Sequence, residues 1–337
     1  MVSGKVPLHH EDGKEGLLSF VRHHQWHIDF FSKKEINGVT NIETSHAALK
    51  AVGGHRRGRT LRPAQCWYNS TAQQETKMAE HKAKHNNGSN RGTLYVVGTG
   101  PGSLKHMTPA AGEALKKADI IVGYKTYLDL IPGYLEGKEV LASQMMKEVD
   151  RCRKSLELAR NGQEVALVCG GDPGIYAMAG LVFEMAEEHD SDCNIEIIPG
   201  IAAVNGCAAR LGAPLMHDFA AVSLSDLLTP LELIKKRLEA VASADFVVAI
   251  YNPKSKKRTE QIKIAQEIFL KYRDPKTPVG IVTAATRDNE TITLTTLADM
   301  LSCEIGMQST VMIGNSQTYI WNEKMVTPRG YSGKYEL

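Results

Sequence analysis

The sequence predicts an α/β protein in which parallel strands and crossover helices fill two successive stretches of chain. Three observations lead there. Beyond about residue 92 short apolar runs alternate with helical patterns, several of those runs end in glycine-rich or small-residue loops, and the alternation resumes after about residue 211.

Composition narrows the field first. The 337 residues exceed one average domain, and a hydrophobic fraction of 42% is that of a globular protein. A net charge of +2 gives no global pull on nucleic acid, so any anion affinity must come from local clusters. No apolar run has the length of a spanning helix, and His9, His10, Glu11 and Asp12 do not form a signal peptide, so the expectation is a cytoplasmic protein without membrane or nucleic-acid partners. The six cysteines form no CxxC pair, which leaves no expected metal site; Cys169 reads as a small packing residue.

Residues 1–91 have their own texture. Most of the histidines lie there, with Arg56, Arg57, Arg59 and Arg62 close together, and the polar run 73–90 reads as a linker. His23, His24 and His27 lack acidic or cysteine partners at ligand spacing and read as a solvated face.

The strand grammar begins at residues 94–97, followed by the loop Gly98-Thr99-Gly100-Pro101-Gly102-Ser103. A dinucleotide fingerprint wants glycine where Ser103 stands and has no place for Pro101, so a nicotinamide or flavin site is disfavoured. Thr108 as N-cap and Pro109 at the first position open a helix through residue 118, and residues 120–122 form a second strand. A helix over 148–161 carries Arg151, Arg153 and Lys154 and feeds the buried strand 165–168. That strand ends in Cys169-Gly170-Gly171-Asp172-Pro173-Gly174, a bare turn with one carboxylate. Read locally, it suits equally a cofactor floor at a strand's carboxyl end and an ordinary strand-to-helix turn capped by Asp172. A helix to about residue 189, a strand at 195–198, the small-residue turn Pro199-Gly200-Ile201-Ala202-Ala203 and a helix through Cys207 close a first domain near Leu211.

The remainder is expected to repeat the pattern. Strands are predicted at 220–224, 246–251, 279–283 and 311–313, helices at 230–242 and 259–271, and antiparallel pieces at 290–295. The loops Tyr251-Asn252-Pro253-Lys254-Ser255-Lys256-Lys257-Arg258 and Thr283-Ala284-Ala285-Thr286-Arg287-Asp288 place polar and basic groups at strand ends. For residues 254–258 a solvated helix entry and an anion site weigh equally.

Taken in order, the Pro101, Asp172-Pro173, Pro199-Gly200 and Asn252-Pro253 loops resemble those of the tetrapyrrole methylase family. So do Val122-Gly123-Tyr124-Lys125-Thr126-Tyr127, Gly212-Ala213-Pro214-Leu215, the run from Ser223 to Pro230, and Thr327-Pro328-Arg329-Gly330-Tyr331. The likeness runs from about Gly92 to Tyr331 and is greatest to the branch that methylates carbon 17 and contracts the ring in corrin synthesis. It implies two α/β domains, 92–211 and 212–337, with the active site in the cleft between them, S-adenosylmethionine as methyl donor, a tetrapyrrole substrate and a homodimer. Cobalt would enter only as part of the substrate. Carried over, the cofactor contacts fall on Pro101, Gly170, Gly171, Asp172, Ile175, Ala202, Ala203, Asn252 and Ala285. Relatives often read Ser-Ser-Gly-Asp where this chain has Cys169-Gly170-Gly171-Asp172. The head, through Glu15-Gly16-Leu17-Leu18 and residues 30–37, resembles part of the C-terminal domain of cobalt-precorrin-5A hydrolases and reads as a partial appendage without hydrolase activity.

A ring carrying many carboxylates calls for cations around an apolar cleft, and Arg151, Arg153, Lys254, Lys256, Arg258 and Arg287 are the candidates. Methyl transfer to an electron-rich carbon demands alignment and dryness more than acid or base, so no catalytic residue is assigned; Tyr124, Tyr127, His217 and Asp226 are open candidates for the proton movements of ring contraction. A noncatalytic tetrapyrrole-binding protein and another corrin-pathway methylase are the rival readings.

Overall fold

The computed structural model describes residues 91–188 and 193–336. All lie in the second of two units into which the chain divides, Ala79–Leu337. The readings made for the head and its linker fall outside the described residues.

Five parallel strands form the first sheet: β1 (Thr93–Gly98), β2 (Ile120–Tyr124), β3 (Glu139–Ser143), β4 (Val165–Cys169) and β5 (Asn194–Ile198), in the order β3-β2-β4-β1-β5. The helices between them are α1 (Pro109–Lys117), α2 (Lys125–Leu128), α3 (Glu148–Arg160) and α4 (Ala179–Glu188). Thr108 caps α1 as predicted, its side chain accepting the Ala111 N–H, with Pro109 at the first helical position. Because β-strand side chains alternate, Leu94, Val96 and Leu167 face α3 and α4, while Tyr95, Val97 and Val168 face α1. The helices that follow β1 and β4, neighbours in the sheet, thus lie on opposite faces. Their entry loops diverge and leave a crevice beyond the strands' carboxyl ends, which is where α/β sheets hold ligands.

Helix α5 (Ala203–Leu211) leads to β6 (Gly212–Ala213) and then to the second sheet. There β7 (Phe219–Ser223), α6 (Leu231–Ser243), β8 (Val247–Tyr251) and α7 (Gln261–Leu270) continue the expected alternation, with β7 parallel to β8. The repeat stops there. β9 (Pro278–Thr283), β10 (Thr291–Thr296) and β11 (Ser309–Ile313) complete the order β10-β9-β11-β8-β7, and β8–β11, β11–β9 and β9–β10 all pair antiparallel. The reason is connectivity: no α-helix separates β9 from β10, so the chain folds back there, and β11 runs the same way as β10, on the other side of β9 and between it and β8. A small sheet of β12 (Tyr319–Trp321), β13 (Lys324–Val326) and β6 was not foreseen.

Helices α6 and α7 cover one face of the second sheet through Ile234, Leu238, Ile262 and Phe269. The other face is covered by α5, whose Val204, Cys207, Ala208 and Leu211 pack on Ala249, Val282 and Met312. Gly280 admits this contact, since a Cβ there would lie 2.5 Å from the Leu211 side chain. Burying such a leucine is worth about 1.5–3 kcal/mol. Helix α5 thus follows the first sheet in sequence and joins the core of the second, a few residues before the boundary expected at Leu211.

Candidate functional site

Three loops from adjacent strands meet backbone to backbone. Gly100 and Gly171 exchange hydrogen bonds, Gly100 N–H to Gly171 O at 3.1 Å and Gly171 N–H to Gly100 O at 2.7 Å. A Cβ on Gly200 would lie 2.1 Å from Gly171 O, so the β5 loop closes on the same point. Asp172 stitches this floor together: Oδ1 accepts from Gly174 N–H at 2.8 Å and Oδ2 from Gly200 N–H at 3.1 Å. Asp172 does not cap the helix, since α4 begins only at Ala179; its carboxylate turns the loop at Gly174 and reaches into the next loop at Gly200.

Gly171, at φ 70, faces Ala203 N at 3.6 Å and the Ala202 Cα at 3.8 Å from its missing Cβ, which brings three candidate cofactor contacts together over bare main chain. Gly170 is different, because its missing side chain is replaced by the Tyr127 ring, whose nearest carbon lies 2.5 Å from the Cβ position. Tyr127 stands edge-on to Tyr124, ring centroids 5.4 Å apart, and burial pushes its hydroxyl pKa up. Cys169 is buried under the floor, its thiol pushed up to about 11 by burial, as befits a packing residue.

The second lobe closes over this floor at two places. On one side Arg287 Nε donates to Pro101 O at 3.1 Å, Ser103 N–H donates to Thr286 Oγ1 at 3.1 Å, and a Cβ on Gly102 would stand 3.1 Å from Ala285 O. On the other Tyr176 donates its hydroxyl to Ala221 O at 2.9 Å and packs on Tyr251, ring centroids 4.9 Å apart. Tyr251 Oη accepts the Val204 N–H at 2.8 Å, and burial pushes its pKa up to about 12. Beside it Asn252 donates Nδ2 to Ser223 Oγ at 3.0 Å. Tyr176, Asn252, Ala284 and Thr286 all have left-handed backbones, with φ of 53, 50, 51 and 64. Non-glycine residues hold that region only when their surroundings fix them, and such strain gathers at ligand-holding loops.

The basic candidates divide. Arg151 is buried, its guanidinium donating to Ser143 Oγ, Gln144 O and Glu148 Oε1, so this candidate ring cation is corrected to a clasp between β3 and α3. Arg153 is exposed and pairs with Asp150. Arg287 is committed to Pro101. Lys254 and Lys256 form no ion pair among the described residues. His217 Nδ1 accepts from Asp218 N–H, and Asp226 accepts from Gln261 Nε2, so both serve local structure. Sequence reasoning missed Tyr176, Tyr251 and Glu290. Among the described residues no group of three His, Cys, Asp or Glu side chains is arranged to hold a metal.

Two α/β lobes joined over a bare glycine floor define the class, and the chain belongs to the tetrapyrrole (corrin/porphyrin) methylase family, which matches residues 93–301. Among proteins of known name it is 52% identical over 251 residues to the cobalt-factor III methyltransferase of Priestia megaterium, covering 73% of this chain and only 46% of that protein. It is 46% identical over 239 residues to a probable cobalt-factor III C(17)-methyltransferase of Salmonella typhimurium, covering 71% of this chain and 99% of the other. The crystal structure of the methyltransferase CobJ superposes with a TM-score of 0.67 at 37% identity, covering 70% of this chain and all of that one.

Proposed function

We propose that this chain is an S-adenosylmethionine-dependent C-methyltransferase of corrin synthesis that methylates carbon 17 of cobalt-factor III or precorrin-3B, with associated ring contraction. The observation that carries the reading is the match to nearly the whole Salmonella relative, beside a family match over residues 93–301 that spans the segments that build the glycine floor and both closures over it. The floor suits the methyl donor: Gly171, Ala202 and Ala203 present main chain without side-chain bulk, and a nucleoside needs that close approach. Pro101, Asp172, Ile175, Asn252 and Ala285 are the remaining proposed contacts. Gly170, whose Cβ direction the Tyr127 ring fills, remains a proposed contact through its main chain alone. When bound, S-adenosylmethionine supplies a methyl group made electrophilic by its sulfonium.

The chain's own part is alignment and exclusion of water. Asp172 fixes the floor through two main-chain bonds, Tyr176 and Arg287 hold the lobes together, and Lys254 and Lys256 are the cations proposed to meet ring carboxylates. A cytoplasmic homodimer completes the proposal; no helix among the described residues is long and apolar enough to cross a membrane.

The test is mass spectrometry of cobalt-factor III incubated with the protein and the methyl donor. One added methyl group is expected; ring binding without methylation would leave a noncatalytic binder. Replacing Lys254 by Ala should raise KM for the ring by about three- to tenfold, the range for losing one charge-assisted contact at a partly exposed site, with cofactor affinity unchanged. Unchanged ring KM would remove Lys254 from the site.

A further inference from the structure

Resting on the reading of Asn252 as a cofactor contact, we propose that Arg258 is a positioning residue for the methyl donor and does not meet the ring. Asn252 follows β8 directly and holds φ 50, a left-handed backbone that asparagine enters more readily than other side chains but that its neighbours here fix to one state. Its side chain is tied to Ser223 Oγ, and its carbonyl oxygen accepts from Arg258 Nη2 at 2.9 Å. Arg258 reaches back to it because residues 255–258 curl on themselves: Ser255 N–H donates to Arg258 O at 2.9 Å, and Arg258 N–H donates to Ser255 Oγ at 3.0 Å.

The rest of the guanidinium is also turned inward. Nη1 reaches Ser225 Oγ at 3.5 Å, the Met307 sulfur lies 3.9 Å from Nη2, and Nε is buried without an acceptor. A cation meant for ring carboxylates would present its fork outward, as a planar donor does for a bidentate partner. Arg258 instead joins the ends of β7 and β8 through Ser225 and Asn252. The charge strengthens a bond to a neutral carbonyl, and that bond helps keep Asn252 in its left-handed state beside Tyr251, whose hydroxyl meets the Val204 N–H of the floor.

The experiment compares wild type, Arg258→Lys and Arg258→Gln by calorimetry with S-adenosylhomocysteine, and by KM for cobalt-factor III and for S-adenosylmethionine. Both variants are expected to weaken S-adenosylhomocysteine roughly tenfold and to raise KM for the donor alike, while KM for the ring stays within about twofold. Lysine fails with glutamine because a compact ammonium cannot span both acceptors. Ring KM that rises in the glutamine variant and recovers in the lysine one, with donor affinity unchanged, would overturn the proposal by making Arg258 a ring cation. A lowered melting temperature with normal donor affinity would overturn it in favour of a purely structural role. Failure of the wild type to bind S-adenosylhomocysteine would instead remove the methyltransferase reading, and the inference with it.

Discussion

Gly200 and Gly171 face each other across the floor, and each excludes a side chain for a different reason. A Cβ on Gly200 would stand 2.1 Å from Gly171 O and 2.7 Å from Gly98 O, both main-chain atoms that cannot swing aside. Gly171 has ordinary contact distances around its Cβ position, the nearest at 3.6 Å, but its φ of 70 penalises any side chain. Alanine at Gly200 must therefore spread the β4 and β5 loops, an overpacking cost of about 1–3 kcal/mol, whereas alanine at Gly171 costs about 1–2 kcal/mol of backbone strain and moves nothing. Urea unfolding should place Gly200→Ala at or below Gly171→Ala in stability. S-adenosylhomocysteine titration should show the larger affinity loss for Gly200→Ala, because only that change displaces a loop. Equal affinity in the two variants would mean that the loops yield without disturbing the floor.

At the scale of elements, α5 begins without a side-chain cap of its own, because Ala202 has none to offer. The second sheet supplies the missing acceptor: the Tyr251 hydroxyl, at the end of β8, takes the Val204 N–H. With its pKa raised to about 12 by burial, that hydroxyl stays protonated throughout the working pH range. Tyr251→Phe keeps the ring against Tyr176 and strands one part-buried donor, for an expected loss of about 1–3 kcal/mol. The urea midpoint should fall at constant m-value, and an unchanged midpoint would show that solvent replaces the bond at no cost.

The same elements show what a sequence can and cannot carry. β4 and β8 were legible because strands buried on both faces read as unbroken apolar runs. β3 was missed because Val140 lies exposed on an edge strand. Strand direction was legible only at 290–295, expected antiparallel and found so in β10; an apolar run such as β11 reads alike in either sense. In the site, the glycine loops were visible as spacing. The partners of Tyr176, Tyr251, Arg287 and Asp172 are main-chain atoms, which have no side-chain signature, and a basic run looks the same whether its arginine points outward or, like Arg258, folds inward.

Across the whole molecule, the lobes meet through polar contacts, and Glu290 backs one of them with a carboxylate whose titration should be measurable. Burial by itself raises its carboxyl pKa, but the Arg210 guanidinium, with bonds of 2.6 to 2.9 Å, and the Thr286 N–H outweigh burial and hold the pKa below the usual glutamate value. Arg210 lies on α5, and Thr286 in turn receives the Ser103 N–H from the first lobe, so one carboxylate holds both α5 and the strained turn that reaches the glycine floor. A folded-state pKa lower than the unfolded one means that the carboxylate's contribution is fully present above the unfolded value of about 4.3 and is lost as the pH falls through the lower folded value. Acid should therefore loosen the Ala284 to Thr286 turn and the closure over Pro101. Glu290→Gln lacks the titrating group: it should be less stable than wild type at neutral pH, and its stability should fall less steeply with acid. Urea unfolding at intervals from about pH 3 to about pH 6 measures both slopes, and the difference between wild type and variant should shrink toward the acid end. Parallel curves for the two proteins would show that Glu290 is held at its ordinary pKa and that the closure draws no stability from its charge.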